Sequence, residues 1–266
     1  MFDRAFRFSC SKKKFFFLFP ILVFCGTIIV FCRTIASWAG DWLKISLAFL
    51  PVFLCTALLL TVGVVLIRIY HHEVKKIPFS YRKTIKDSKE LMSWISHLAV
   101  PLFLAYLVLW TLLGLFYLLK EIPYAGQLIG FLLSFGPFLL VLGSLVLVLF
   151  SIFLLFFVTP PVALKSLVDD KLLKHLFYRL NESIFSHVVL FLFGLLPLLF
   201  IVLMMSLAAY ITDLSYMSAS HPFTLSLEWF FIMVPFCAIL TPLMTFFFNF
   251  AAESYISLTR YLNLSK

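Results

Sequence analysis

The chain has 266 residues, 63% of them hydrophobic and only 12% charged, with a net charge of +9 and a pI near 9.4. Soluble domains average about 25% charged residues, and one of this length could not keep so much apolar surface out of water, so lipid is the expected solvent. The basic residues stand beside apolar runs, with no zinc-finger spacing and no basic reading helix, which points to anionic headgroups and excludes nucleic acid as the partner.

A transmembrane helix needs about 20 mainly apolar residues. The first such run covers residues 15–35 and the second 45–69, with Gly40-Asp41 as a tight turn between them. A polar, amphipathic segment at 71–90 precedes a third run at 92–119, which Lys120-Glu121 closes. No charged residue then appears before Lys165. One unbroken helix over residues 123–158 would be ~54 Å long, against a hydrocarbon core of ~30 Å. The pair Gly136-Pro137 offers a break, so the reading splits this stretch into a short interfacial or re-entrant helix at 123–135 and a fourth span at 137–158. Thr159-Pro160-Pro161 is expected to end that span. Leucines near helical spacing then mark 162–182 as an amphipathic segment on the membrane surface. The fifth span is expected at 183–210 and the sixth at 227–250, where Pro235 and Pro242 are expected to bend it; its pattern continues through Tyr255 and Leu262.

Six spans put the basic residues on one side. The N-terminal tail, the 71–90 connection with Arg68, the 162–182 segment and the C-terminal tail hold 18 of the 21 Lys and Arg residues. The other side holds Arg33, Lys44 and Lys120. The positive-inside rule therefore predicts both termini in the cytoplasm. A rival layout is a cleaved signal peptide, with Lys12 to Lys14, an apolar core and Ser37-Trp38-Ala39, which would leave five spans. The core exceeds the usual ~7–15 residues, and Trp38 and Trp42 read as interfacial anchors, so the first span is expected to stay.

The chemistry-bearing residues are sparse. The middles of the spans carry no ionisable residue, which disfavours an ion-coupled carrier. The chain has no GxxxxGK[ST], HExxH or GxSxG motif. His71-His72-Glu73 reads as a solvated membrane-edge cluster, because adjacent helical histidines point about 100° apart. Asp169-Asp170 reads as a helix cap, and Asp213, His221 and Glu228 as loop residues of the outer side. Four of the five cysteines lie in apolar spans and read as small fillers, with only Cys10 in the basic tail. Gly136, Pro137, Pro235 and Pro242 are the places where a pathway or hinge would sit. Ser93-Trp94-Ile95-Ser96-His97 and Ser183-Ile184-Phe185-Ser186-His187 echo one another, which suggests repeated hairpins with His97 and His187 facing a common cytoplasmic vestibule.

Three stretches carry a resemblance. They are Ile122-Pro123-Tyr124-Ala125-Gly126, Thr159-Pro160-Pro161-Val162-Ala163-Leu164 with Leu180-Asn181-Glu182-Ser183, and Phe247-Phe248-Asn249-Phe250-Ala251-Ala252-Glu253-Ser254-Tyr255. In these the second half resembles a loose group of multi-pass, six-helix bacterial membrane proteins without assigned activity. The resemblance implies a proline-ended span leading into a surface helix, and a last helix extended to an Arg-bearing tail. It implies no catalytic residue.

The expectation is an all-α, six-span helix bundle forming a single transmembrane domain of a bacterial cytoplasmic (inner) membrane. It is expected to act as a structural or partner-binding subunit without enzymatic activity, cofactor or metal. Its expected partners are anionic lipid headgroups at the basic face and a protein partner. The alternative expectation is a permease or lipid-handling channel built around Gly136-Pro137; a membrane-embedded enzyme is the least favoured.

Overall fold

The structure is a computed structural model that describes residues 1–77, 80–122, 135–165, 184–211 and 222–264. The expected interfacial helix at 123–135 falls, save for Phe135, outside the described residues, as do most of the 162–182 segment, Asp169, Asp170, Asp213 and His221. The described residues contain helices and no strands: α1 (Phe2–Arg7), α2 (Lys12–Trp38), α3 (Asp41–Val74), α4 (Tyr81–Asp87), α5 (Lys89–His97), α6 (Ala99–Lys120), α7 (Gly136–Phe157), α8 (Thr159–Lys165), α9 (Ile184–Ile211) and α10 (Pro222–Leu264).

Six of these segments are long and apolar enough to cross a membrane: Lys12–Trp38, Trp42–Val74, Lys89–Lys120, Gly136–Leu164, Phe185–Ala208 and Ser226–Thr259. They overlap all six expected spans. The third is made of α5 and α6 in succession, the fourth of α7 and α8. The helix α3 lies at the centre and packs against α2, α5, α6, α7, α8 and α10. In its most apolar stretch 61% of residues are buried, whereas the figure for the fifth span is 6%. The outer face of α9 is correspondingly apolar and exposed at Leu192, Phe193, Leu196, Leu199, Phe200 and Leu203. Such a face is unfavourable in water and neutral in lipid.

Helix association in lipid gains nothing from hiding apolar surface, so close approach and polar contacts decide it. Glycines supply the approach. A Cβ at Gly63 on α3 would collide with the buried Phe248 ring of α10, and one at Gly26 on α2 would collide with Met233. Gly194 on α9 lies 2.9 Å, from the position of its absent Cβ, from both the Phe156 ring of α7 and the Phe250 ring of α10. Phe191 completes this contact, with its ring centroid 5.5 Å from that of Phe156.

Two boundaries depart from the sequence reading. The helix α3 runs on to Val74, past the expected end at residue 69 and into the segment read as polar connection. Its last turns are covered: Ile69 and Tyr70 are fully buried. The second departure concerns Thr159-Pro160-Pro161, which starts a new helix, α8, directly after α7. The prolines fall in the first turn, where no N–H is needed by the helix, and Val162 N–H reaches back to Val158 O at 3.4 Å. Val162 and Ala163, read as the beginning of a surface segment, are buried against α3. Arg68 on α3 secures this corner: its Nε donates to Ala163 O at 3.1 Å and its Nη1 to Asp87 O and Ser88 Oγ at 3.1 and 3.0 Å.

Because the Phe248 ring is rigid and fully buried, Gly63→Val is expected to destabilise the bundle by about 1–3 kcal/mol through overpacking. Thermal unfolding of the chain in detergent measures this; an unchanged midpoint would show that α3 and α10 do not meet at Gly63.

Candidate functional site

The candidate site arises where α1 folds back against α10 and Phe8, just after it, meets Tyr70 of α3. Along α10 the apolar sequence is interrupted every fourth residue by Cys237, Thr241, Thr245, Asn249 and Glu253, all of them buried. A four-residue repeat places these side chains on one face of the helix. The two threonines satisfy their hydroxyls locally, Thr241 on Cys237 O at 2.7 Å and Thr245 on Thr241 O at 2.9 Å. Asn249 instead reaches α1: its Nδ2 donates to Ala5 O at 3.3 Å and to Ser9 Oγ at 3.1 Å. Glu253 accepts from Tyr70 OH at 2.6 Å and lies 3.6 Å from Arg4 Nη1. Phe2 stacks edge-on against Phe246, with centroids 4.9 Å apart, so α1 is held by apolar and polar contacts together.

Beside this lies Lys14, at the start of α2, with no exposed surface. Its Nζ meets Glu73 Oε2 at 2.5 Å, donates to Phe8 O at 3.1 Å and lies 5.2 Å from the centre of the Tyr70 ring. An isolated ammonium this deep would be prohibitively costly, and the carboxylate, carbonyl and ring together compensate it. Tyr70 links the two ion pairs, because its ring faces Lys14 while its hydroxyl binds Glu73's counterpart on α10, Glu253. The assembly neutralises charge and joins α1, α2, α3 and α10. Its contacts hold these helices in register.

The residues singled out from the sequence are placed as follows. Gly136 and Pro137 open α7, with Pro137 in the first turn where it is tolerated. Pro235 and Pro242 both lie inside the continuous α10. Pro235 is exposed on the outer surface of the bundle, so it lines no interior path. His97 is exposed at the end of α5, its Nδ1 2.6 Å from Ser93 O. His187 is buried on α9, its ring centroid 5.7 Å from that of Phe157. One ring is thus exposed and the other enclosed, and the described contacts do not join them. Glu73 is not a solvated partner of His71 and His72 as the sequence suggested; it turns to Lys14, and the two histidine rings stand 6.5 Å apart. Among the described residues, no group of three or more His, Cys, Asp or Glu side chains is arranged to hold a metal ion. Tyr70, Asn249 and Glu253 were not singled out from the sequence, and neither was the pairing of Lys14 with Glu73; the four-residue spacing from Thr241 to Glu253 was the signal that could have found Asn249 and Glu253.

No protein family, curated protein or solved structure matches the chain. Its function must therefore be argued from its own geometry.

Replacing Lys14 alone by Met leaves Glu73 without its counter-charge and is expected to cost about 3–5 kcal/mol. The double variant Lys14→Met, Glu73→Leu is expected to recover most of that loss, because both charges go together. Unfolding midpoints of the native chain, both single variants and the double variant in one detergent give the comparison, and a loss in the double variant equal to the sum of the two single losses would exclude coupling between the two residues.

Proposed function

We propose that the chain is an integral protein of a bacterial cytoplasmic membrane, with both termini in the cytoplasm, acting as a structural or partner-binding subunit without chemistry of its own. One observation carries this reading. The end of the bundle that gathers α1, the last turns of α3, α4 and the start of α5 exposes Arg4, Arg7, Lys12, Lys13, Lys75, Lys76, Lys86 and Lys89. The exposed acids there are Asp3, Asp87 and Glu90. A surface this basic suits an acidic protein face, and its rim suits anionic headgroups. The permease alternative finds less support, since Gly136-Pro137 begins a described helix and Pro235 points outward.

The orientation has a direct test in the native cysteines. Cys10 is exposed beside α1, whereas Cys25, Cys32, Cys55 and Cys237 are buried. A membrane-impermeant maleimide is expected to label Cys10 in inside-out vesicles and not in intact cells. Labelling of Cys10 from outside would overturn the cytoplasmic assignment.

Partner binding is tested by purification from native membranes in mild detergent. The native chain is expected to carry a stoichiometric protein companion that is lost when Lys75, Lys76, Lys86 and Lys89 are all changed to Glu. A native chain that emerges alone, or a companion indifferent to the charge reversal, would contradict the reading.

A further inference from the structure

Cysteines scattered through the sequence converge in the fold. Cys25, Cys55 and Cys237 stand on α2, α3 and α10, and all three are buried. The Cys55 thiol lies 3.7 Å from Cys25 O and interacts with the Cys25 thiol itself. The Cys237 thiol lies 3.4 Å from the carbonyl oxygen of Leu22, three residues before Cys25 on α2. It also lies 3.4 Å from the Met233 sulfur, one turn back on its own helix. Met233 in turn packs on Gly26, where a Cβ would collide with its thioether. That seats Met233 beside Cys25, and Cys25 and Cys237 are near enough to interact electrostatically. Filling volume alone would be served by Ala or Val. A thiol set against a thioether, with a second thiol beside them, is a set of soft, polarizable donors.

Such donors select copper(I) among the common metal ions. Structural zinc takes four ligands, and among the described residues no group of three or more His, Cys, Asp or Glu is arranged to supply them. Copper(I) is satisfied by two or three sulfurs, the thioether included. Charge points the same way. The sulfurs lie inside segments apolar enough to cross a membrane, where uncompensated charge is expensive. When Cu⁺ displaces the proton of the Cys237 thiol, a Cu–S bond replaces an S–H bond, one cation enters and one leaves. No electron moves and the net charge of the site is unchanged. A divalent ion would leave a positive charge behind. Met233 and Cys25 add neutral donors. Met233 is only partly buried, between exposed Ile232 and Pro235, so an ion arriving at the surface of the bundle meets its thioether first.

We propose that Cys237, Met233 and Cys25 form a binding site for copper(I) where α10 meets α2. Cys55 of α3 stands behind it and holds the Cys25 thiol in place. The inference is independent of the basic end and of any protein partner.

The test uses the full chain in mild detergent, without oxygen, with Cys10→Ser as background because Cys10 is an exposed thiol that could take copper by itself. Copper(I) is presented as its coloured bicinchoninate complex, and the chain's uptake of the ion bleaches the colour. The background protein is expected to take up one copper(I) per chain, with only sulfur neighbours by X-ray absorption, and to leave zinc(II) unbound. Added to that background, Cys237→Ser, Met233→Leu and Cys25→Ser are each expected to weaken binding about tenfold or more, since loss of an outer-shell partner alone costs about 10–100-fold. Met233→Leu conserves volume, which keeps the test valid if a cysteine variant fails to fold. Cys32→Ser removes a buried thiol about 10 Å further along α2 and is expected to change nothing. Absence of stoichiometric uptake would overturn the proposal. So would zinc(II) binding as tight as copper(I), or unchanged copper affinity in a folded Cys237, Met233 or Cys25 variant.

Discussion

Lipid withdraws the usual incentive for helices to associate, and the arrangement of this chain follows from what is left. A Leu-rich helix is as comfortable against acyl chains as against another helix. Close packing and polar contacts must then select the neighbours. The bundle shows both in distinct places. Glycines at 26, 63 and 194 admit Met233, Phe248, Phe156 and Phe250 in the membrane interior. Polar groups do the selecting near the ends, where Arg33 lies 4.5 Å from the Trp229 ring and Thr34 is 2.8 Å from Ser226 at one end, and Lys14, Glu73, Tyr70, Asn249 and Glu253 meet at the other. The helix α10 is thereby pinned to α2 at one end and to α1 and α3 at the other.

The charged cluster is better understood as a specification than as a source of stability. A buried ion pair returns little net energy beyond its desolvation cost. What it does supply is a penalty for every arrangement that separates its members. Shifting α2 along α3 by one turn would leave Lys14 facing hydrocarbon, and dislodging α1 would strip Asn249 of Ala5 and Ser9. Apolar faces made of Phe and Leu slide over one another with little resistance. Register in this bundle is therefore set by a handful of polar atoms.

Much of this architecture was legible in the amino-acid sequence. The six apolar runs were, because length and hydropathy alone decide what can cross a membrane. Their ends were less so. Residues 71–74 look like the beginning of a polar connection, yet α3 runs through them, and Tyr70 just before them is covered by Phe8, Lys14 and Glu253, residues far away along the chain. The pair Pro160-Pro161 signalled a stop, correctly for α7, but a proline that ends one helix can as easily begin the next, and nothing local distinguishes the two. Lys14 was counted among orienting charges of the tail. Its burial depends on Glu73 and Tyr70, which composition and periodicity cannot pair with it. The histidines at 97 and 187 show the opposite failure: similar local sequences, Ser-x-x-Ser-His in each, end in unlike surroundings, one exposed and one packed on Phe157.

The hydrogen bond from Asn249 to Ala5 joins residues 244 positions apart. It imposes an order on synthesis. The hairpin of α2 and α3 can insert early and pair Lys14 with Glu73 as soon as both have emerged. The helix α1 gains Asn249 and Phe246 only once α10 is in place. Its docking therefore depends on α10, the partner most distant from it along the chain.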